Sequence, residues 1–266
     1  MWLARIFTLV ICLSALGFAD TGFIDRTVVV EGRTYRYQLY VPSDYTPAKQ
    51  WPVIVDLHGN MLQGEEGLFH TQLGLAHAIR ARRDAYPVLC ILPQAPRGEY
   101  WEQRRMQLLV LAQLDATERE FNVDKTREYL TGFSMGAVGA YRIAYRWPDR
   151  FAALVAIAGM VEAINIPDRV AGDRETNPFT TEQDPFGALA AVLKVVPSRI
   201  YHGDADRIVP VEQSRRLTAA LNNAGASTHY IEIPAADHLE GALKAYGDPD
   251  FMTWLLAQHR PPQATR

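Results

Sequence analysis

A chain of 266 residues, 48% hydrophobic and 21% charged, has the make-up of a globular protein and room for one large α/β domain or two small ones. Its formal net charge of -3 gives no reason to expect a nucleic-acid partner or an anionic membrane surface. Positive charge gathers at Arg80, Arg82 and Arg83 and again at Arg104 and Arg105, and both groups read as solvated helix faces or ends.

The first nineteen residues differ in kind. Arg5 is followed by an almost wholly apolar run from Ile6 to Phe18, and Gly17-Phe18-Ala19 places small residues where a signal peptidase cuts. The pattern predicts a secretory signal peptide over 1–19, cleaved after Ala19. Residues 20–266 are then one exported domain, secreted or periplasmic, with no stable membrane insertion after cleavage. The competing reading is an uncleaved anchor, for which the run is short of the roughly 20 apolar residues of a comfortable span. Cleavage would remove Arg5 from the 27 basic residues and leave 26 against 30 acidic ones. Of the two cysteines Cys12 lies in the leader, and Cys90 in the apolar run 88–92 reads as a buried small hydrophobe. No Cys/His cluster has zinc-ligand spacing, so neither a metal nor a cofactor is expected.

In chain order, Thr27 to Val30 and Tyr35 to Val41 around Glu31-Gly32-Arg33 predict an antiparallel hairpin, the second arm alternating apolar and polar residues. Val53 to Leu57, Val88 to Leu92 and Ala153 to Ile157 are continuous apolar runs, as expected of parallel strands buried on both faces. Glu128 to Thr131, Ser198 to His202 and Thr228 to Ile233 complete about eight strands. Helical patterns lie between them at 73–82, 106–121, 137–147, 211–224 and 249–258. The third stops at Pro148, and the last has Pro at its start. Alternating strands and helices after a hairpin predict a mostly parallel sheet with helices on both faces, in a single domain. Residues 259–266 read as a frayed tail. The irregular stretch 165–184 is either an inserted lid or a surface loop.

Gly132-Phe133-Ser134-Met135-Gly136 is a G-x-S-x-G match between the strand-like run ending at Thr131 and the helical run from Ala137. A serine on a tight strand-to-helix turn presents its hydroxyl at the carboxyl edge of the sheet. Such a hydroxyl needs a base, and the base needs an acid to set its tautomer. The required chain order is Ser, acid, His, each at a strand's carboxyl end. The strand at 198–202 runs into Gly203-Asp204-Ala205-Asp206, which offers two carboxylates. Of the seven histidines, His238 sits in the loop directly after the last strand, in Ala236-Asp237-His238, whereas His229 lies inside a strand and His259 in the tail. The Met135 backbone N–H, directly after the serine, is one expected oxyanion donor.

These features together resemble the α/β-hydrolase superfamily. They are closest to secreted carboxylesterases of the predicted-peptidase branch, akin to polyhydroxybutyrate depolymerase-like and feruloyl esterases. The likeness covers nearly all of residues 25–260. It is carried by Phe121-Asn122-Val123-Asp124, by 129–136 at the elbow, by 145–153, by His202-Gly203-x-x-Asp206-x-x-Val209-Pro210, by Asp237-His238 and by 245–249. The acid loop of that superfamily implies Asp206 rather than Asp204, which is left as a turn carboxylate. His58-Gly59 after an apolar strand resembles the oxyanion loop and implies the Asn60 backbone N–H as second donor, with Met61 the rival. The chain departs from the usual pattern at Ala137, at Asn60-Met61 and at Leu239, where relatives carry a second glycine, a small residue and a tryptophan.

The resemblance implies an exported serine hydrolase with catalytic Ser134, Asp206 and His238 and oxyanion donors Met135 and Asn60. It would cleave small-molecule or polymer carboxylic esters, short-chain or aromatic, with Tyr100, Trp101 and Phe69 as candidate pocket residues. A serine peptidase, a polysaccharide- or polymer-directed esterase and a catalytically inactive binding protein are the alternatives.

Overall fold

A computed structural model of the chain describes residues 20–162, 179 and 182–261. The expected leader and most of the 165–184 stretch, with its two readings, lie outside the described residues. In chain order the elements are β1 (Gly22–Val30), β2 (Arg33–Val41), β3 (Trp51–Leu57), α1 (Gly74–Ala81), β4 (Leu89–Pro93), α2 (Arg104–Glu120) and β5 (Val123–Phe133). They continue with α3 (Met135–Arg146), β6 (Ala153–Ile157), α4 (Pro185–Leu193), β7 (Ser198–Gly203), α5 (Glu212–Asn223), β8 (Thr228–Ile233), α6 (His238–Gly247) and α7 (Asp250–Leu256).

The strands form one eight-stranded sheet in the order β1-β2-β4-β3-β5-β6-β7-β8. β1 pairs antiparallel with β2 and β2 antiparallel with β4. All later neighbours pair parallel. This is the expected α/β-hydrolase architecture. The short apolar runs are its central strands because both of their faces are covered. Val53, Val55 and Leu57 of β3 enter one core with Leu109 of α2, Ala140 of α3, Leu189 of α4 and Leu217 of α5. Ile54, pointing the other way, enters a second core with Leu75 of α1, Ala245 of α6 and Phe251 of α7. Each Val, Leu, Ile or Phe among these side chains contributes roughly 1.5–3 kcal/mol on leaving water. Cys90 is among them, free and buried, its thiol pKa pushed up by desolvation.

Local differences from the sequence reading have identifiable causes. β5 begins at Val123, not Glu128, because Val123 pairs with Trp51 and extends the strand through polar residues 124–127. β1 begins at Gly22, its first five residues pairing with the far half of β2. Two helices were not expected, α4 and α6. In α4 the Asp184 side chain caps the Gly187 N–H at 3.0 Å and Pro185 opens the first turn. In α6 Asp237 and Glu240 form a reciprocal capping box. Among the described residues, no helix is long and apolar enough to cross a membrane.

Candidate active site

Ser134 is the single residue between β5 and α3, with φ 55° and ψ -118°. A side chain in that region is strained by about 1–3 kcal/mol, which the surrounding packing must supply. Two contacts hold it. The Ser134 N–H donates to the Ile157 carbonyl at 2.9 Å, tying the turn to the end of β6. The next turn lies so close to β3 that a Cβ on Gly136 would sit 1.8 Å from the Leu57 carbonyl oxygen. Only glycine permits that approach, and it sets the helix start, with the Met135 N–H in its first turn, against the end of β3. The partial positive charge of the α3 N-terminus favours negative charge there.

The loops after β7 and β8 lock onto one another. A Cβ on Gly203 would sit 2.2 Å from the Ala236 carbonyl oxygen. The Ala205 N–H donates to that carbonyl at 3.1 Å, and Asp204 Oδ1 accepts from the Ala235 N–H at 2.6 Å. Asp204 therefore joins the two loops through backbone, bonding an amide on the other loop rather than one of its own turn. Asp206 takes the other position. Its Oδ1 accepts from the Ile208 and Val209 amides at 2.8 and 2.9 Å, and its Oδ2 from His238 Nδ1 at 2.6 Å. His238 Nε2 lies 2.9 Å from Ser134 Oγ. Because a carboxylate only accepts, the proton is on Nδ1, and Nε2 is free to accept from the serine hydroxyl.

The Asp206 side chain has no solvent exposure, against 17% for His238. Burial pushes the carboxyl pKa up, but hydrogen bonds from His202, His238 and the Val209 amide outweigh it and hold the group well below the usual carboxylate range. His238 is held by its place as first residue of α6 and by Phe133, whose ring centroid is 4.7 Å from the imidazole. Asp237 is exposed and caps α6 through the Leu239 and Glu240 amides.

Asn60 opens a short 3-10 turn, Asn60–Leu62, directly after Gly59. Amides in the first turn of such an element have no partner within it. Gly59 lies against the Phe133 ring, 3.2 Å from where its Cβ would be, so the loop borders the elbow. His58 sets the peptide plane: its Nδ1 donates to the Gly59 carbonyl at 2.7 Å, and its Nε2 accepts from the Ala95 N–H at 3.0 Å. Pinning that carbonyl pins the Asn60 N–H on the opposite side of the same planar unit. Burial drives the His58 pKa down to about 3, so the ring is neutral and both bonds persist at ordinary pH.

Trp101, a candidate pocket residue, is instead fully buried, its indole N–H donating to the His58 carbonyl at 3.0 Å. Phe69 is exposed and Tyr100 half-buried. One residue was missed by the sequence reading. His202 Nε2 lies 3.2 Å from Asp206 Oδ2, with both side chains fully buried. Its signal was the four-residue spacing of His202 and Asp206 across a tight turn. Among the described residues, no group of His, Cys, Asp and Glu could hold a metal ion.

Three comparisons bear on this geometry. NocK of Nocardia uniformis subsp. tsuyamanensis, a protein named as an esterase, is 27% identical over 241 residues, 86% of this chain. The chain spans 62% of the length of that curated relative. A thermostable esterase structure superposes with a TM-score of 0.73 at 24% identity, over 90% of this chain and 63% of that one. A ferulic acid esterase of Anaeromyces mucronatus, solved with ferulic acid, superposes with a TM-score of 0.65 at 18% identity, over 91% and 92%. At such identities the two structures speak for the fold. Residues 101–258 match the prolyl oligopeptidase family, a span that includes Ser134, Asp206 and His238 and leaves out Asn60. That match takes in more than half of the sequence, and the chain belongs to the prolyl oligopeptidase family.

Proposed function

We propose that the chain is a serine hydrolase that cleaves carboxylic esters through an acyl-enzyme on Ser134. The observation that carries this is the continuous path from Ser134 Oγ to His238 Nε2 at 2.9 Å and from His238 Nδ1 to Asp206 Oδ2 at 2.6 Å. Ser134 Oγ bonds to the ester carbonyl carbon as its proton passes to His238 Nε2. Asp206 stabilises the imidazolium that results. The Met135 and Asn60 amides receive the oxyanion. The carbon–oxygen bond to the alcohol then breaks, and His238 returns its proton to the leaving oxygen. In the second half a water gives His238 a proton and adds its hydroxyl to the acyl carbon. Ser134 Oγ leaves with that proton, releasing the acid.

Three large apolar side chains flank the site residues. Met61 follows Asn60, Ile208 lies two residues past Asp206, and Leu239 follows His238; all are exposed, by 67%, 62% and 38%. Exposed apolar side chains next to the site residues favour an ester with an apolar acyl or alcohol part, short-chain or aromatic. Export, supported by Arg5 and the apolar run 6–18, belongs to the same reading. The family match favours amide cleavage as the second reading. Turnover of p-nitrophenyl esters of graded length, methyl ferulate and a peptide amide, measured beside Ser134→Ala, separates the two. Ester hydrolysis that vanishes in Ser134→Ala is the expected result. Equal inactivity of both proteins on every substrate would leave the fold as a binding module, and a preference for the amide would make the chain a peptidase.

A further inference from the structure

We propose that His202 is a positioning residue, holding Asp206 in the one orientation in which its Oδ2 meets His238. The inference rests on the reading of Ser134, His238 and Asp206 as a triad and names what keeps its acid in place. His202 touches neither the serine nor any space a substrate would enter, so it acts only through Asp206.

The geometry at His202 leaves little choice of state. Its Nε2 lies 3.0 Å from the Val209 carbonyl and 3.2 Å from Asp206 Oδ2. Both neighbours are acceptors, so Nε2 carries the hydrogen; it bonds the Val209 carbonyl, and the same polar N–H edge lies against Asp206 Oδ2. Its Nδ1 lies 2.7 Å from Ser214 Oγ on α5, whose hydroxyl donates to it. Ring, serine and carboxylate are all shut off from water. Ser214 thus fixes the tautomer of His202, as Asp206 fixes that of His238.

On Asp206, Oδ1 has two backbone amides, and Oδ2 has the His238 bond and the His202 N–H edge 3.2 Å away. With these three bonds and the His202 contact in place, the carboxylate cannot rotate about its Cβ–Cγ bond without losing interactions it cannot replace from solvent. Deleting the His202 donor leaves Oδ2 with His238 alone. The carboxylate then becomes more basic, binds the imidazolium of His238 more tightly, and is freer to turn. Both changes act on His238 as a base: fewer molecules are aligned, and its protonated form persists to higher pH. The other ionisable groups facing this corner are engaged elsewhere. Glu232 of β8 is held by Arg215 and Tyr230, Asp204 by the Ala235 amide and Asp237 by the α6 amides.

The test measures kcat, KM and melting temperature for wild type, His202→Leu, His202→Gln, Ser214→Ala and Ser134→Ala on p-nitrophenyl acetate, from about pH 5 to pH 9. The glutamine amide reproduces a donor near the Nε2 position; leucine does not. His202→Leu is expected to lose about tenfold in kcat with little change in KM, and to move the acid limb of the profile to higher pH. His202→Gln is expected to recover most of both. An unshifted limb with wild-type kcat in His202→Leu would overturn the proposal. So would equal losses of kcat and melting temperature in the Leu and Gln proteins with an unmoved limb, which marks mere packing. If His202→Leu does not fold, Ser214→Ala keeps the ring and must shift the limb the same way; an unchanged profile there is fatal. Failure of the triad reading shows separately, as wild type no more active than Ser134→Ala.

Discussion

Asp206 and His238, 32 residues apart in sequence, meet through a 2.6 Å bond between Oδ2 and Nδ1, while Asp204, two residues earlier, bonds only backbone. The two carboxylates therefore predict different phenotypes. Asp206→Asn offers an amide where the imidazole needs an acceptor and favours the wrong tautomer, so kcat should fall by about 10⁴-fold. Asp204→Asn keeps a carbonyl oxygen for the Ala235 amide and should stay within about twofold of wild type. Steady-state rates on one p-nitrophenyl ester decide it. The reverse order would reassign the acid.

The proposed Asn60 donor is a backbone group, so only removal of the N–H tests it. Gly59 has φ -74° and ψ 168°, extended backbone that accepts a following proline, and Asn60 opens its turn, where proline also fits. Asn60→Pro should fold, bind substrate, and lose about 10² to 10³ in kcat. A rate near wild type, with Met61→Pro inactive and folded, would move the second donor to Met61.

Asp237→Ala removes the cap that starts α6 at His238. A loss of about 1 kcal/mol in denaturant unfolding is expected. The drop in kcat should be smaller than for any triad substitution, because Phe133 still supports the ring.

Asp56 sets a pH slope in stability. Burial pushes its pKa up to about 6, opposed by the Tyr246 hydroxyl at 2.7 Å and by the Leu75 amide. A carboxyl raised from an unfolded value of 3.8 contributes stability that is complete below 3.8 and lost as pH rises through about 6. Asp206, held low, has the opposite sign: its contribution is present above the unfolded value and lost in acid. Asp56→Asn should thus compare with wild type more favourably at pH 7 than at pH 4, by at most about 3 kcal/mol. Melting temperatures of the two proteins across that range provide the measurement. A difference that does not change with pH would show that Asp56 titrates in the folded protein as it does in the unfolded chain.

Much of this architecture was legible before any coordinates. The central strands announce themselves as apolar runs because both faces are buried, and Ser134 stands out because its turn demands small neighbours. What escaped notice was polar. Residues 123–127 join β5 because Val123 pairs with Trp51 across an irregular, polar stretch, which side-chain type does not encode. α4 and α6 carried readable caps, Asp184-Pro185 and Asp237 with Glu240, but short helices have little periodicity to set them apart. Trp101 went from candidate pocket lining to core because its indole has a buried acceptor in the His58 carbonyl.

The chain by itself determined the succession of strands and five of the helices, the elbow at Ser134, and the two loops that carry the candidate acid and base. Those follow from local chemistry: apolar runs, glycines where chains must approach, and residue types in a fixed order. Only the tertiary structure set Asp206 against His238 and Asp204 against backbone, and brought in His202, fixed by Ser214 twelve residues further on. That choice depends on which oxygen faces which nitrogen, and side-chain direction is set when β7, β8 and α5 pack together, not by their sequences taken singly.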